Sequence, residues 1–101
     1  SAPPPRPPPE VSWEEQKRRR NRQKALPAQR DRVLEEIDVA EARRKAIQEL
    51  YCTPGFFEQT PPDRIAALEA EDKSLITRVE SLTAEWEKLE AEIESLGPPP
   101  S

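Results

Sequence analysis

The feature that most constrains this chain is a run of apolar residues with alternating three- and four-residue spacing between Ile65 and Leu96. Its members are Ile65, Leu68, Leu75, Val79, Leu82, Trp86, Leu89, Ile93 and Leu96, with Asp72 filling the gap in the series. This spacing is typical of a coiled-coil helix, which exposes a narrow apolar seam and cannot remain stable without a partner helix.

A second seam of the same spacing lies upstream, so the partner helix can come from the same chain. It consists of Leu26, Arg30, Val33, Ile37, Ala40, Arg44, Ile47 and Tyr51. The segment between the seams contains Thr53-Pro54-Gly55, which is typical of a turn. The sequence therefore predicts an all-α fold: an antiparallel two-helix coiled-coil hairpin with a short basic N-terminal helix and disordered Pro-rich ends.

The polar residues of the two seams predict how the helices are aligned. Placing Tyr51 opposite Ile65 brings Arg44 opposite Asp72, because facing residue numbers in an antiparallel hairpin have a constant sum. An ion pair there adds little net stability but can specify the alignment. The alternative is that both side chains turn from the edge of the seam into water. The same alignment places the Arg30 guanidinium on the indole of Trp86.

Breakers and caps divide the chain into segments. The Pro-rich residues 1–10 are expected to be a disordered linker, or alternatively an SH3-type ligand. Residues 11–96 form the coiled-coil domain, and 97–101 a disordered tail that follows a Gly97 C-cap. The lack of any Met favours a fragment of a longer protein.

Within the domain, the predicted elements are a basic helix over 12–24, helices over 27–51 and 61–96, and a tip over 52–60. Ser12 and Thr60 are expected to cap the first and last of these helices. Pro27 predicts a break between 24 and 27, or alternatively a kink. In the tip, Phe56 and Phe57 either close the end of the hairpin or insert into a partner.

Composition excludes several classes of function. With no His, a single Cys and no Gly-rich loop, the usual sites for hydrolysis, metal binding and phosphate cradling are missing, so this piece is expected to be non-catalytic and to hold no cofactor or metal. No stretch approaches the ~20 apolar residues of a membrane span. Ile93 and Leu96 extend beyond the second helix, and the first helix is expected to cover them with Val11 or Trp13.

Charge is distributed unevenly along the chain. Residues 1–32 hold nine Lys or Arg against four acids, whereas the remainder holds seven against sixteen. The candidate nucleic-acid-binding residues are Lys17, Arg18, Arg19, Arg20, Arg22, Lys24, Arg30 and Arg32. They surround most of the helix without an interleaved aromatic residue, which favours phosphate contact independent of sequence over base stacking. The alternatives are a solvated helix, and a structural or protein–protein interaction coiled coil without nucleic-acid contact.

The order of these features resembles the C-terminal coiled-coil domain of ABC-F ATPases, especially the Uup-like branch. The resemblance is carried by the basic start, Leu26-Pro27, the Pro54-Gly55-Phe56-Phe57 tip and the closing Trp86-Glu87-Lys88-Leu89-Glu90. The first segment is longer and richer in Arg than usual, and the tip ends in Phe rather than Tyr.

This resemblance implies a non-catalytic C-terminal appendage of a cytoplasmic, ribosome-associated translation factor. Two upstream cassettes would hold ATP and Mg²⁺. The implied partners are the ribosome and ribosomal RNA, tRNA or DNA, with no membrane, and the isolated domain is expected to be a monomer.

Overall fold

Two long antiparallel helices form a hairpin in the computed structural model, which describes residues 2–4 and 9–99, with side chains of the first helix described from Ser12 onward. The elements are α1 (Pro9–Tyr51), the single-turn α2 (Phe56–Gln59) and α3 (Pro62–Leu96). α1 packs along α3, and the described residues contain no β-strand. The predicted all-α hairpin is confirmed.

Among the described residues, the buried side chains all belong to the two predicted seams. They are Leu26, Val33, Ala40, Ile47, Leu68, Leu82 and Leu89. Ile47 and Leu68 are the most deeply buried, at 0% and 1% exposure. Each buried Leu or Ile side chain contributes about 1.5–3 kcal/mol to folding, so the seam is the main source of stability in a fold that has no broad core.

The predicted alignment of the helices is also observed. Arg44 Nε donates a hydrogen bond to Asp72 Oδ1 at 3.1 Å, and the two side chains are 30% and 16% exposed. Beside them, Arg43 donates two hydrogen bonds to Glu71, at 2.7 and 2.8 Å. The alternative in which Arg44 and Asp72 turn away from each other into water is therefore not observed.

α1 continues through Pro27, which corrects the break expected between residues 24 and 27. Pro27 removes the hydrogen bond to the Gln23 carbonyl, and a proline inside a helix costs about 3 kcal/mol. α3 is long enough to extend past Pro27, so residues on both sides of the proline contact it: Arg30 pairs with Glu90, and Arg22 with Glu92. These contacts, together with the burial of Leu26 next to the proline, oppose the cost and favour a continuous α1.

The N-terminus of α1 also differs from the expectation. The helix begins at Pro9, so Ser12 lies inside it and the predicted Ser12 cap is wrong. Proline suits the first turn, because its missing N–H would have no partner there and its φ angle is already helical.

The two ends of α3 agree only in part with the predicted caps. Its N-cap is Pro61, which makes no side-chain capping hydrogen bond, and Thr60 instead follows α2 as that helix's C-cap. The predicted Thr60 cap is therefore wrong. Gly97 is the C-cap as predicted, with a φ of 77° and its N–H donated to Ile93 O at 3.0 Å.

The predicted Pro-rich ends lie partly outside the described residues. Of the 1–10 linker, residues 1 and 5–8 are not described, and the backbone of residues 9 and 10 belongs to α1. Of the 97–101 tail, residues 100 and 101 are not described. The domain boundaries stay predictions. In the described part of the chain, no helix combines the length and the apolar character needed to cross a membrane.

Candidate nucleic-acid interface

Six of the eight predicted basic residues, those from Lys17 to Lys24, lie around the point where α1 passes the end of α3. Gln23 Nε2 donates a hydrogen bond to Leu96 O at 2.8 Å, and the Arg19 guanidinium donates one to the same carbonyl at 2.9 Å. Because α3 ends at Leu96, the turns of α1 before Arg19 project past the two-helix seam. We call residues 12–24 the basic end.

Arg19 and Gln23 cap the C-terminus of α3, a role that the sequence analysis missed. The last carbonyl groups of a helix lack partners within the helix and carry partial negative charge. Gln23 Nε2 also lies 3.3 Å from Pro98 O. The signal was present in the sequence, because Gln23 and Arg19 continue the three- and four-residue spacing upstream from Leu26.

Two further predicted site residues are engaged with carboxylates. Arg22 forms an ion pair with Glu92. Arg30 donates hydrogen bonds to Glu90 and to Asp31, each at 3.1 Å. Hydrogen bonding to Asp31 and then to Glu90 raises the pKa of Arg30. Together with Arg19, these residues hold the two helices together.

The expected stacking of Arg30 on Trp86 is wrong. The guanidinium of Arg30 contacts the carboxylates of Asp31 and Glu90 instead, in charge-assisted hydrogen bonds. Trp86 is half-buried, as the seam predicted, and packs against the cluster formed by Leu26, Val33, Leu82 and Leu89. Its indole Nε1 is buried and has no hydrogen-bond partner among the described residues.

The other five predicted site residues are exposed: Lys17, Arg18, Arg20, Lys24 and Arg32. None of them forms an ion pair with the side chains that the structure describes. The first four share the basic end. Arg32 lies about 12 Å further along α1 than Lys24, at ~1.5 Å per residue, beside the two-helix part of the rod.

Trp13 does not cover the end of α3, which corrects a further expectation. Its side chain is 55% exposed, and Lys17 Nζ lies 5.1 Å from the centroid of its ring. Ile93 and Leu96 pack instead against the cluster that contains Leu26 and Leu89. The side chain of Val11, the other residue expected to cover them, lies outside the described residues.

The basic end therefore offers cationic hydrogen-bond donors on an exposed helix. Guanidinium and ammonium groups both match phosphate oxygens, and Arg does so in a rigid planar geometry. No group of three or more His, Cys, Asp or Glu side chains that could hold a metal ion occurs in the part of the chain that is described. The chemistry available at this end is charge-based binding of an anion.

At the opposite end of the rod, three aromatic rings cluster around the turn. Tyr51 stacks on Phe57 at 5.6 Å, and Phe56 meets Phe57 edge-on at 5.1 Å. Gly55 supports the turn with a φ of 79°. Burial, followed by the charges of nearby acidic residues, raises the pKa of Tyr51. Phe56 is half-buried and Phe57 is 51% exposed, so both roles considered for the tip stay predictions.

Comparison with protein families identifies the family of this chain. Residues 17–91 match the model of the family described as ABC transporter C-terminal domain. Comparisons with curated proteins and with solved structures found no match. The family match confirms the resemblance to the C-terminal domain of an ABC-family protein, and the narrower assignment to the Uup-like ABC-F branch stays a prediction.

Proposed function

The chain belongs to the ABC transporter C-terminal domain family, and on this premise we propose that it is a non-catalytic appendage that binds nucleic acid through the basic end of α1. The proposed parent protein is a cytoplasmic, ribosome-associated ABC-F ATPase with ATP and Mg²⁺ in its upstream cassettes. The proposed ligand is ribosomal RNA, tRNA or DNA.

The observation that supports this proposal is the concentration of unpaired cations at the basic end. Arg43 and Arg44 on the rod pair with carboxylates of α3. At the basic end, four cations within eight residues are exposed without such a partner among the described residues: Lys17, Arg18, Arg20 and Lys24. Cations that stabilise no contact within the hairpin remain available for an external anion.

Charge also limits where the contact occurs and how strong it is. The acidic remainder of the chain repels phosphate, so contact is confined to the basic end. Each phosphate neutralised releases counterions, and log K falls with log salt by about 0.7–0.9 per contact. Binding through so few cations is weak, in the micromolar range or above, and has little sequence preference.

The test is a salt titration of the nucleic-acid affinity of the 101-residue chain and of a variant that lacks three of the four unpaired cations of the basic end. The variant carries Arg18→Gln, Arg20→Gln and Lys24→Gln, and spares Arg19 and Arg22, which support the fold. The matched control replaces three exposed lysines elsewhere on the rod, Lys45, Lys73 and Lys88, with Gln.

The basic-end variant should reduce the slope of log K against log salt, the salt slope, by about 2–3, which is the sum of three phosphate contacts. Its melting temperature should equal that of the parent. The control has the same net charge and should keep the parent slope. If the two variants bind alike, or if the affinity of the parent does not change with salt, the basic end is not a phosphate-binding site.

The alternative function is a coiled coil that acts through protein contacts alone. It is favoured by apolar side chains that are exposed away from the basic end, Val39 at 66% and Phe57 at 51%. Under this alternative the parent binds neither duplex nor single strand, and light scattering at high protein concentration should reveal a dimer.

A further inference from the structure

Trp13 lies on the same side of α1 as three of the unpaired cations. Trp13, Lys17, Arg20 and Lys24 follow one another at spacings of four, three and four residues, which places them in one stripe along a helix. We call these four residues the Trp13 stripe. It is about 16 Å long at ~1.5 Å per residue, and all four side chains are exposed. An aromatic ring is therefore aligned with the cations after all.

The described part of the hairpin does not bury the indole of Trp13. At 55% exposure Trp13 leaves much of its apolar surface in water, which is unfavourable in proportion to the area exposed. Trp86, the other tryptophan, packs against the buried cluster of the seam. The contact that the structure gives the Trp13 ring is the ammonium of Lys17, at 5.1 Å from the centroid.

We propose that Trp13 is a stacking platform for an unpaired nucleobase, and that the basic end therefore prefers single-stranded nucleic acid to duplex. This inference rests on the proposed function, whose ligand class it narrows. Lys17, Arg20 and Lys24 bind the phosphates that follow the stacked base. The indole and the cations lie on one exposed face of α1, so one strand can contact both.

The preference for a single strand follows from the geometry of stacking. In a duplex the two faces of each base are covered by neighbouring bases, so a ring on the surface of a helix has no free base face to contact. An unpaired base offers its face without that cost, and every base has such a face. Stacking on one aromatic side chain strengthens single-strand binding by about 5- to 150-fold.

The experiment compares a mixed-sequence single strand without self-complementarity with the duplex formed from it. Affinities are measured for the parent, Trp13→Ala and Trp13→Phe. Trp13→Ala should lower single-strand affinity by about 5-fold or more and leave duplex affinity unchanged. Trp13→Phe keeps a stacking ring and should retain most of the affinity. The salt slope should stay the same in both variants, because no charge is removed.

Fluorescence of the parent supplies a second readout that does not depend on a variant. Stacking on the exposed Trp13 should quench tryptophan emission when the single strand binds, whereas the duplex should leave it unchanged. Equal loss of single-strand and duplex affinity in Trp13→Ala, or no loss at all, would overturn the stacking role and leave the salt-dependent phosphate site standing. If neither nucleic acid binds the parent, both the stacking role and the proposed function fail.

Discussion

The ion pair between Arg44 and Asp72 allows the alignment of the two helices to be tested energetically. It lies within the seam, with an Nε–Oδ1 distance of 3.1 Å, and Gln48 Nε2 approaches the other Asp72 oxygen at 3.4 Å. A double-mutant cycle of Arg44→Ala and Asp72→Ala isolates the interaction between the two side chains.

The burial of the pair determines the expected magnitude. Fully exposed ion pairs couple by ~0.2–1 kcal/mol, and residues in direct contact by ~0.5–3 kcal/mol. The side chains of Arg44 and Asp72 are 30% and 16% exposed, so desolvation offsets much of their attraction. We expect a coupling of about 1 kcal/mol, a value that shifts the melting temperature of a domain of this size by roughly 4–8 °C.

The two single variants should differ in stability. Arg44→Ala leaves the less exposed carboxylate of Asp72 without its cation, whereas Asp72→Ala leaves an Arg whose long stem can carry the charge into water. Arg44→Ala should therefore destabilise the hairpin more. The stability of all four proteins of the cycle is measured by thermal and urea unfolding, which circular dichroism follows at about 222 nm, where helices give a strong signal.

The pair formed by Glu36 and Arg78 supplies the control. Its nitrogen–oxygen distance is 3.5 Å, and both side chains are more than half exposed, at 52% and 55%. Its coupling should be no more than about 0.5 kcal/mol. If Arg44 and Asp72 couple no more strongly than this exposed pair, the reasoning that they specify the alignment is refuted.

Three further predictions concern the seam and the flanking charges. In urea unfolding, Trp86→Ala should lower the free energy of unfolding by about 3 kcal/mol and Trp13→Ala by less than about 0.5 kcal/mol. In single-tryptophan variants, acrylamide should quench the fluorescence of Trp13 more than that of Trp86. Leu68→Ala, at a site that is 1% exposed, should cost about 2–5 kcal/mol and lower the melting temperature more than any substitution at the basic end. Hydrogen bonds from Arg43 lower the pKa of Glu71 below its usual value of 4.5. The ionised carboxylate therefore stabilises the fold above that pH, and this contribution is lost as the pH falls through the folded-state pKa. Arg43→Gln should reduce the loss of stability measured between about pH 5 and pH 3.

The spacing of apolar residues was sufficient to predict the seams, the antiparallel hairpin and the pairing of Arg44 with Asp72. Burial in a two-helix fold depends on which residues recur on one face, and that recurrence is local information. The C-cap at Gly97 was equally local, since the residue requires only a positive φ at the end of a helix. Sequence patterns also pointed to the basic end, although they did not separate its cations by role.

Contacts between distant parts of the chain settled the remainder. Pro27 is a helix breaker by local rules, but α3 is long enough to contact α1 on both sides of it. These contacts and the burial of Leu26 favour a continuous α1. The same overlap assigns Arg19 to the carbonyl end of α3, 77 residues away in sequence, and leaves Arg20 exposed beside it. Adjacent arginines have the same intrinsic chemistry, so their roles differ only because α3 ends at Leu96 and its last carbonyl faces one of them.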